Sequence, residues 1–222
     1  MTIFRTYAAL GCLTVLAACG GSSGSGVVST SGPISIQDVN AAGDAYFRFA
    51  ADGFMALDQA ALEAQGSASY DGYMLAVPNG SSDALVGRTQ IDVTFTNGGD
   101  LSGDVRDLVL IPENEDVVAI LRADPADGYT PIGDATALTR LSGELDLSGG
   151  ELRGSRIDVD VSGTVDIPGA AFDARLSGTE TFDVSGSLQS LVAETGEFVG
   201  QGSLFARGSR LQFNLGTVVF AE

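Results

Sequence analysis

The chain contains no histidine, no lysine and no tryptophan, and only two cysteines. Each gap removes a class of chemistry. Without histidine there is no Ser-His-Asp or Cys-His arrangement and no imidazole ligand for zinc. Without lysine there is no Walker A loop, no Schiff-base lysine and no Ser-x-x-Lys dyad. All 11 basic residues are therefore arginines, set against 29 acidic ones, for a net charge of −18. A surface of that sign cannot neutralise a run of phosphates, which excludes nucleic acid as a partner. The acidity reads as a solvated surface suited to a salty medium, with a basic partner or divalent cations as the functional alternative. A single G-x-S-x-G match, Gly20-Gly21-Ser22-Ser23-Gly24, has no strand before it or helix after it and carries no nucleophile elbow.

The N-terminus is an address. Arg5 is the only charge in the first 37 residues and precedes the apolar run from Tyr7 to Leu16. A positive start, a short apolar stretch and small residues before a cut make a secretory signal, and about ten apolar residues are too few to span a bilayer. The stretch closes on Leu16-Ala17-Ala18-Cys19, which resembles the bacterial lipobox, where the cysteine is acylated and the peptide is cut before it. On this reading residues 1–18 are discarded, Cys19 carries the lipid, and 204 of the 222 residues remain. An ordinary signal peptide with an incidental Cys19 is the alternative. Several acyl chains anchor far more firmly than one, because each buried methylene contributes about 0.8 kcal/mol. Cys12 leaves with the signal and Cys19 is lipidated, so neither a disulfide nor a free thiolate is expected. Residues 19–33 form a Gly/Ser-rich flexible tether. In lipoproteins that this segment resembles, aspartate after the cysteine favours the inner membrane. Gly20 stands there, which points to the outer membrane, with its face left open.

Residues 34–65 are expected to be helical. Between Asp44 and Ala64, Tyr46, Phe49, Ala50, Gly53, Phe54, Leu57, Ala61 and Ala64 follow a helical spacing of three or four, Asp44 is placed to cap the start and Gly66 to follow the end. From Gly66 onward the period becomes two. Ile157, Val159, Val161, Val165 and Ile167 share one face of a strand, while Arg156, Asp158, Asp160, Thr164 and Asp166 share the other. Such alternation predicts an antiparallel sheet with one wet face. Eight tracts qualify as strands: 66–77, 84–96, 100–111, 137–147, 151–167, 171–189, 196–206 and 209–220. Asn97-Gly98 and Gly149-Gly150 have the composition of tight hairpin turns. Phase slips predict bulges near Arg106-Asp107 and at Gly216. The expected fold is all-β: an eight-stranded antiparallel up-and-down barrel over residues 66–222, with a short N-terminal helix and a β-sandwich as the competing architecture. A membrane-spanning barrel is disfavoured, because Asp158, Asp160, Asp166, Asp173, Arg175 and Asp183 would crowd a narrow lumen and the aromatic content is 7%.

Gly66-Ser67-Ala68-Ser69-Tyr70-Asp71-Gly72, followed by Ile91-Asp92-Val93-Thr94-Phe95 and Gly99-Asp100-Leu101-Ser102-Gly103, resembles the opening of the barrel in surface lipoproteins of the transferrin-binding protein B kind, and more distantly factor H-binding protein. Gly196-Glu197-Phe198-Val199-Gly200 is similar to the start of that family's penultimate strand. Where the family continues G-P-x-A-x-E, this chain has Gln201-Gly202-Ser203-Leu204-Phe205. The resemblance covers about residues 66–220 and implies a barrel that binds a partner rather than catalyses. The family's partner-binding N-terminal lobe has no counterpart here, so transferrin itself is not implied.

Candidate site residues follow from chemistry. Tyr70 and Tyr73 lie on opposite sides of a strand, and a tyrosinate can ligate haem iron where histidine is missing; half-buried core tyrosines are the plainer reading. The connection from Pro112 to Asp134 carries Glu113, Glu115, Asp116, Asp124 and Asp127, oxygens of the kind that hold calcium, but without the D-x-D-x-D-G spacing. Glu180 shares the phase of Phe182 and Val184, which points a carboxylate inward unless the chain turns at Gly178-Thr179, the arrangement expected here. A paired-carboxylate hydrolase is the one enzymatic reading left, with no means of choosing the pair. No cofactor is expected. The partners are a membrane, through the lipid, and an external protein or small molecule. A structural envelope lipoprotein without a ligand is the rival reading.

Overall fold

The computed structural model describes residues 32–53, 55–80, 83–111, 130–133, 137–168 and 177–222. The expected signal, lipobox and most of the expected tether therefore lie outside the described residues, as do Glu113, Glu115, Asp116, Asp124, Asp127, Asp173 and Arg175.

Two helices precede the sheet. α1 (Ile36–Asp52) starts at a capping box: Asp38 N donates to Ser35 Oγ (3.2 Å) and Ser35 N donates to Asp38 Oδ2 (2.8 Å). It ends at Gly53, whose φ of 67° a side chain would resist. α2 (Gln59–Gln65) is capped by Asp58 and followed by Gly66. The single helix expected from Asp44 is thus two, beginning earlier and broken at Gly53; Asp44 instead pairs with Arg48 within α1. Gly66 ends a helix as expected.

The rest is strand: β1 (Ser67–Pro78), β2 (Ala84–Thr94), β3 (Asp100–Ile111), β4 (Thr139–Arg140), β5 (Ser142–Arg153), β6 (Arg156–Pro168), β7 (Thr179–Val192), β8 (Phe198–Arg207) and β9 (Gln212–Ala221). β4 and β5 form one stave interrupted at Leu141, so the sheet has eight staves. Each pairs antiparallel with its chain neighbour, and β1 pairs with β9 from Gly72↔Ala221 to Pro78↔Leu215, which closes the barrel. Among the described residues every stave is thus paired on both sides along part of its length, which limits the edge open to another strand.

Alternation decides what faces in. Ile157, Val159, Val161, Val165 and Ile167 of β6 are all buried in the barrel core, with Phe182, Val184 and Leu188 of β7 beside them. Asp160 and Asp183 are exposed outside. A membrane-spanning barrel needs the reverse, an apolar wall toward lipid; this wall suits water. Leu62 of α2 packs into the core together with Phe95, Phe198 and Leu152 near one end.

β1 departs from alternation because both of its faces are covered. Tyr70, Met74 and Ala76 point into the barrel, while Tyr73, Leu75 and Val77 point out and pack with Ile36, Val39 and Phe47 of α1. The same helix covers the outer face of β9: Tyr46 and Phe49 have ring centroids 5.9 and 5.6 Å from Phe220. Burying a side chain of this size contributes about 1.5–3 kcal/mol, so the helix is held chiefly by carbon surface. This explains a misreading at Gly216. No bulge occurs there, since β9 stays in register with both neighbours. Its apolar phase slips in sequence because Val218 and Phe220 lie on the outer face beside α1.

The other expected bulge is real: Val86 pairs with Val109 but Arg88 with Arg106, which leaves one extra residue in β3 around Asp107 (φ 54°). Gly149-Gly150 is not a hairpin turn. It sits inside β5 at a register shift, with Gly150 packed so closely on β3 that a Cβ would lie 2.4 Å from Leu101 N. The β5–β6 turn is at residues 154–155.

Candidate functional site

Tyr70 belongs to the core. It is 3% exposed, and its ring lies 5.5 Å from that of Phe198. Its hydroxyl has no hydrogen-bond partner in normal geometry. Burial pushes its pKa up to about 12, opposed by the nearby Gln65 side chain. A tyrosinate ligand needs the opposite shift and needs space. Among the described residues, one cavity lies inside the barrel; it is about 20 Å³, bounded by apolar side chains including Met74, Leu85, Val184 and Phe213. That is room for about one water, and nothing like a haem.

Tyr73 faces the other way, as its spacing from Tyr70 predicts. It is buried under α1, opposite Arg88 in the β1–β2 register, with the guanidinium carbon 6.0 Å from its ring centroid. Burial raises its pKa, and the Arg88 side chain works against that rise. Arg88 is itself 7% exposed. Its Nη1 donates to Gly32 O (2.8 Å) and to Asp107 Oδ2 (3.1 Å), tying the root of the N-terminal segment to the β3 bulge.

Glu180 faces inward and is 4% exposed. The chain bends at Gly178 and β7 begins at Thr179, but this does not turn the carboxylate outward. The carboxylate is instead satisfied from the β8–β9 connection. Arg210 N donates to Oε1 (2.5 Å), Ser209 Oγ to Oε1 (3.1 Å) and Arg210 Nε to Oε2 (3.2 Å). The Arg210 backbone N–H is the main cause holding the carboxyl below the usual range, against the effect of burial. A carboxylate held this way fixes a turn and leaves little for a ligand. Nothing in the alternation pattern marks Ser209 and Arg210 as its partners, thirty residues away, and sequence reasoning missed them.

The outer wall of β5 to β7 carries acids alternating with hydroxyls across the ladder: Ser148 faces Asp160, Asp166 faces Thr181, and Thr164 faces Asp183. Thr181 Oγ1 donates to Asp166 Oδ1 (2.5 Å). Where two acids stand opposite, at Glu151 and Asp158, Arg153 and Arg156 sit beside them. Among the described residues no three groups gather in a way that would hold a metal ion. The structure therefore does not bring Tyr70, Tyr73 and Glu180 together: one lies in the core, one under α1 and one at the β8–β9 end.

What the described residues form is a closed barrel with a densely packed apolar interior. No family model, curated protein or solved structure matches this chain.

Proposed function

We propose that this protein is a lipid-anchored outer-membrane lipoprotein whose barrel is a non-enzymatic binding module, engaging its partner on the outer surface rather than in the interior. The observation that carries the second half is the filled core, with an internal void of about 20 Å³. Small-molecule sites span about 300–1,000 Å³, so this void is no ligand chamber. The anchor rests on the sequence: Arg5, the apolar run, Leu16-Ala17-Ala18-Cys19 and the Gly/Ser tether. The similarity of residues 66–103 to transferrin-binding protein B-like barrels supports a binding role. A structural envelope lipoprotein is the second reading, favoured by the same filled core, since a solid barrel needs no ligand to be stable.

Two experiments test the proposal. Cells fed an alkyne-bearing palmitate should label the wild-type protein and not the Cys19→Ser variant; equal labelling of both removes the anchor. The mature protein should then be screened by thermal shift against haem, calcium chloride and basic proteins. A ligand present at a hundred times its Kd adds about 2.7 kcal/mol to stability. Stabilisation by a protein supports an outer-surface module, stabilisation by haem contradicts a filled interior, and response to nothing favours the structural reading.

A further inference from the structure

The molecule has two apolar cores, and the wall of the barrel lies between them. The first fills the barrel and, among the described residues, takes no side chain from residues 32–53. The second lies outside, where Ile36, Val39 and Phe47 cover Leu75, Val77 and Val86. The ladders that close the barrel run from stave to stave, so α1 rests on a wall that is complete without it.

The boundary of this outer layer falls at Gly53, where α1 ends at a φ of 67°. Just beyond it the chain is held by its backbone. Glu194 N donates to Met55 O (2.9 Å), Leu57 N donates to Val192 O (2.9 Å), and Leu62 sits in the barrel core. Before Gly53, α1 meets the wall chiefly as carbon against carbon. A contact of a different kind stands at its start. Arg88 is 7% exposed, donates from Nη1 to Gly32 O (2.8 Å) and holds its guanidinium carbon 6.0 Å from the Tyr73 ring centroid. A buried guanidinium needs its hydrogen bonds, and this one reaches from the wall to the chain that leads into α1. Tension on the chain before Gly32 would load that bond before it reached the helix.

We propose that residues 32–53 form a strap that opens from the barrel as one unit, hinged at Gly53 and clasped at its start by Arg88. Proteins open in contiguous units at less than the cost of global unfolding, and here the outer core marks the unit. The lifted strap does not stay helical: a lone helix of 17 residues is marginal in water, and Gly43 in its middle lowers its propensity further. Opening therefore melts α1 and bares Tyr73, Leu75, Val77 and Phe220, an apolar strip that the closed form hides. It also frees Ile132, whose N–H donates to Asn40 Oδ1 (2.8 Å). The proposal does not depend on the lipid anchor, nor on the barrel having a protein partner.

Hydrogen exchange of the mature chain, read residue by residue by NMR, tests it. Amides of α1 and of Ile132 should exchange together, at least about tenfold faster than the slowest amides of β6. Arg88→Gln should raise the α1 rates about tenfold or more relative to those of β6, the usual shift for one hydrogen bond from a charged group. Phe47→Ala, which removes a large side chain of the outer core, should raise them further still. Four results would each overturn the assignment: α1 exchanging as slowly as β6, Ile132 staying protected when α1 is not, Arg88→Gln leaving α1 unchanged, or either variant speeding α1 and β6 equally.

Discussion

Glu180 and Arg210, thirty residues apart, close one end of the barrel: the carboxylate of β7 accepts both the backbone N–H (2.5 Å) and the side-chain Nε (3.2 Å) of the arginine that follows β8. The pair makes stability depend on pH in a defined direction. The folded carboxyl is held below its ordinary value, chiefly by that backbone N–H. Its contribution is therefore present above the unfolded carboxylate pKa, about 4.3, and is lost as pH falls through the lower folded value. Glu180→Gln should melt below the wild type at pH 7, and the gap should begin to close once pH falls below about 4.3. Melting curves from pH 7 to 3 check this; a gap that stays constant would mean the charge contributes nothing.

Tyr70 offers the opposite linkage. Its hydroxyl is buried with no well-formed hydrogen bond among the described residues, and burial, opposed by the nearby Gln65 side chain, pushes its pKa up to about 12. An unfolded tyrosine ionises near 10, so stability should be full below that value and fall as pH rises from there to about 12. Tyr70→Phe should remove that alkaline loss. At pH 7 it should change stability by less than about 1 kcal/mol, because it removes an unsatisfied polar atom rather than a hydrogen bond. Denaturant titration at both pH values decides the matter.

Closure of the barrel depends on the absence of a side chain at one position. A Cβ on Gly72 would lie 2.1 Å from Phe220 O, across the β1–β9 ladder. Gly72→Ala should cost about 2–3 kcal/mol through forced displacement of backbone. Gly154→Ala, in the open β5–β6 turn at φ 69° with no atom nearby, should cost about 1–2 kcal/mol for its backbone angle. Equal costs at the two sites would mean that β1 and β9 are not so closely joined.

The inward and outward assignment of β7 is testable with neighbours. Leu188 is 1% exposed in the core, and Ser187 is outside. Leu188→Ala should cost about 2–5 kcal/mol, and Ser187→Ala no more than about 0.5 kcal/mol. Urea unfolding of the two variants reads the difference, and comparable losses would contradict the alternation.

Much of this fold was legible because a half-buried strand writes its two faces into alternate residues, as from Ile157 to Ile167. Legibility failed where a second layer altered that code. The outer faces of β1 and β9 are apolar because α1 lies on them, so Phe220 imitated a bulge. Gly149-Gly150 imitated a turn, because a glycine pair that permits close strand approach has the same composition as one that reverses the chain. The site was less legible still. Glu180 stood out by phase, but its partners Ser209 and Arg210 are joined to it only by closure of the barrel.

The face of the outer membrane on which the proposed lipid-held barrel sits decides whether its partner is external, and protease shaving of intact cells tests the cell-surface reading most directly. The account predicts that protease cuts the tether and releases the barrel to the medium while a periplasmic marker stays protected. A barrel that stays cell-bound and intact until the outer membrane is permeabilised would contradict it and place the domain in the periplasm.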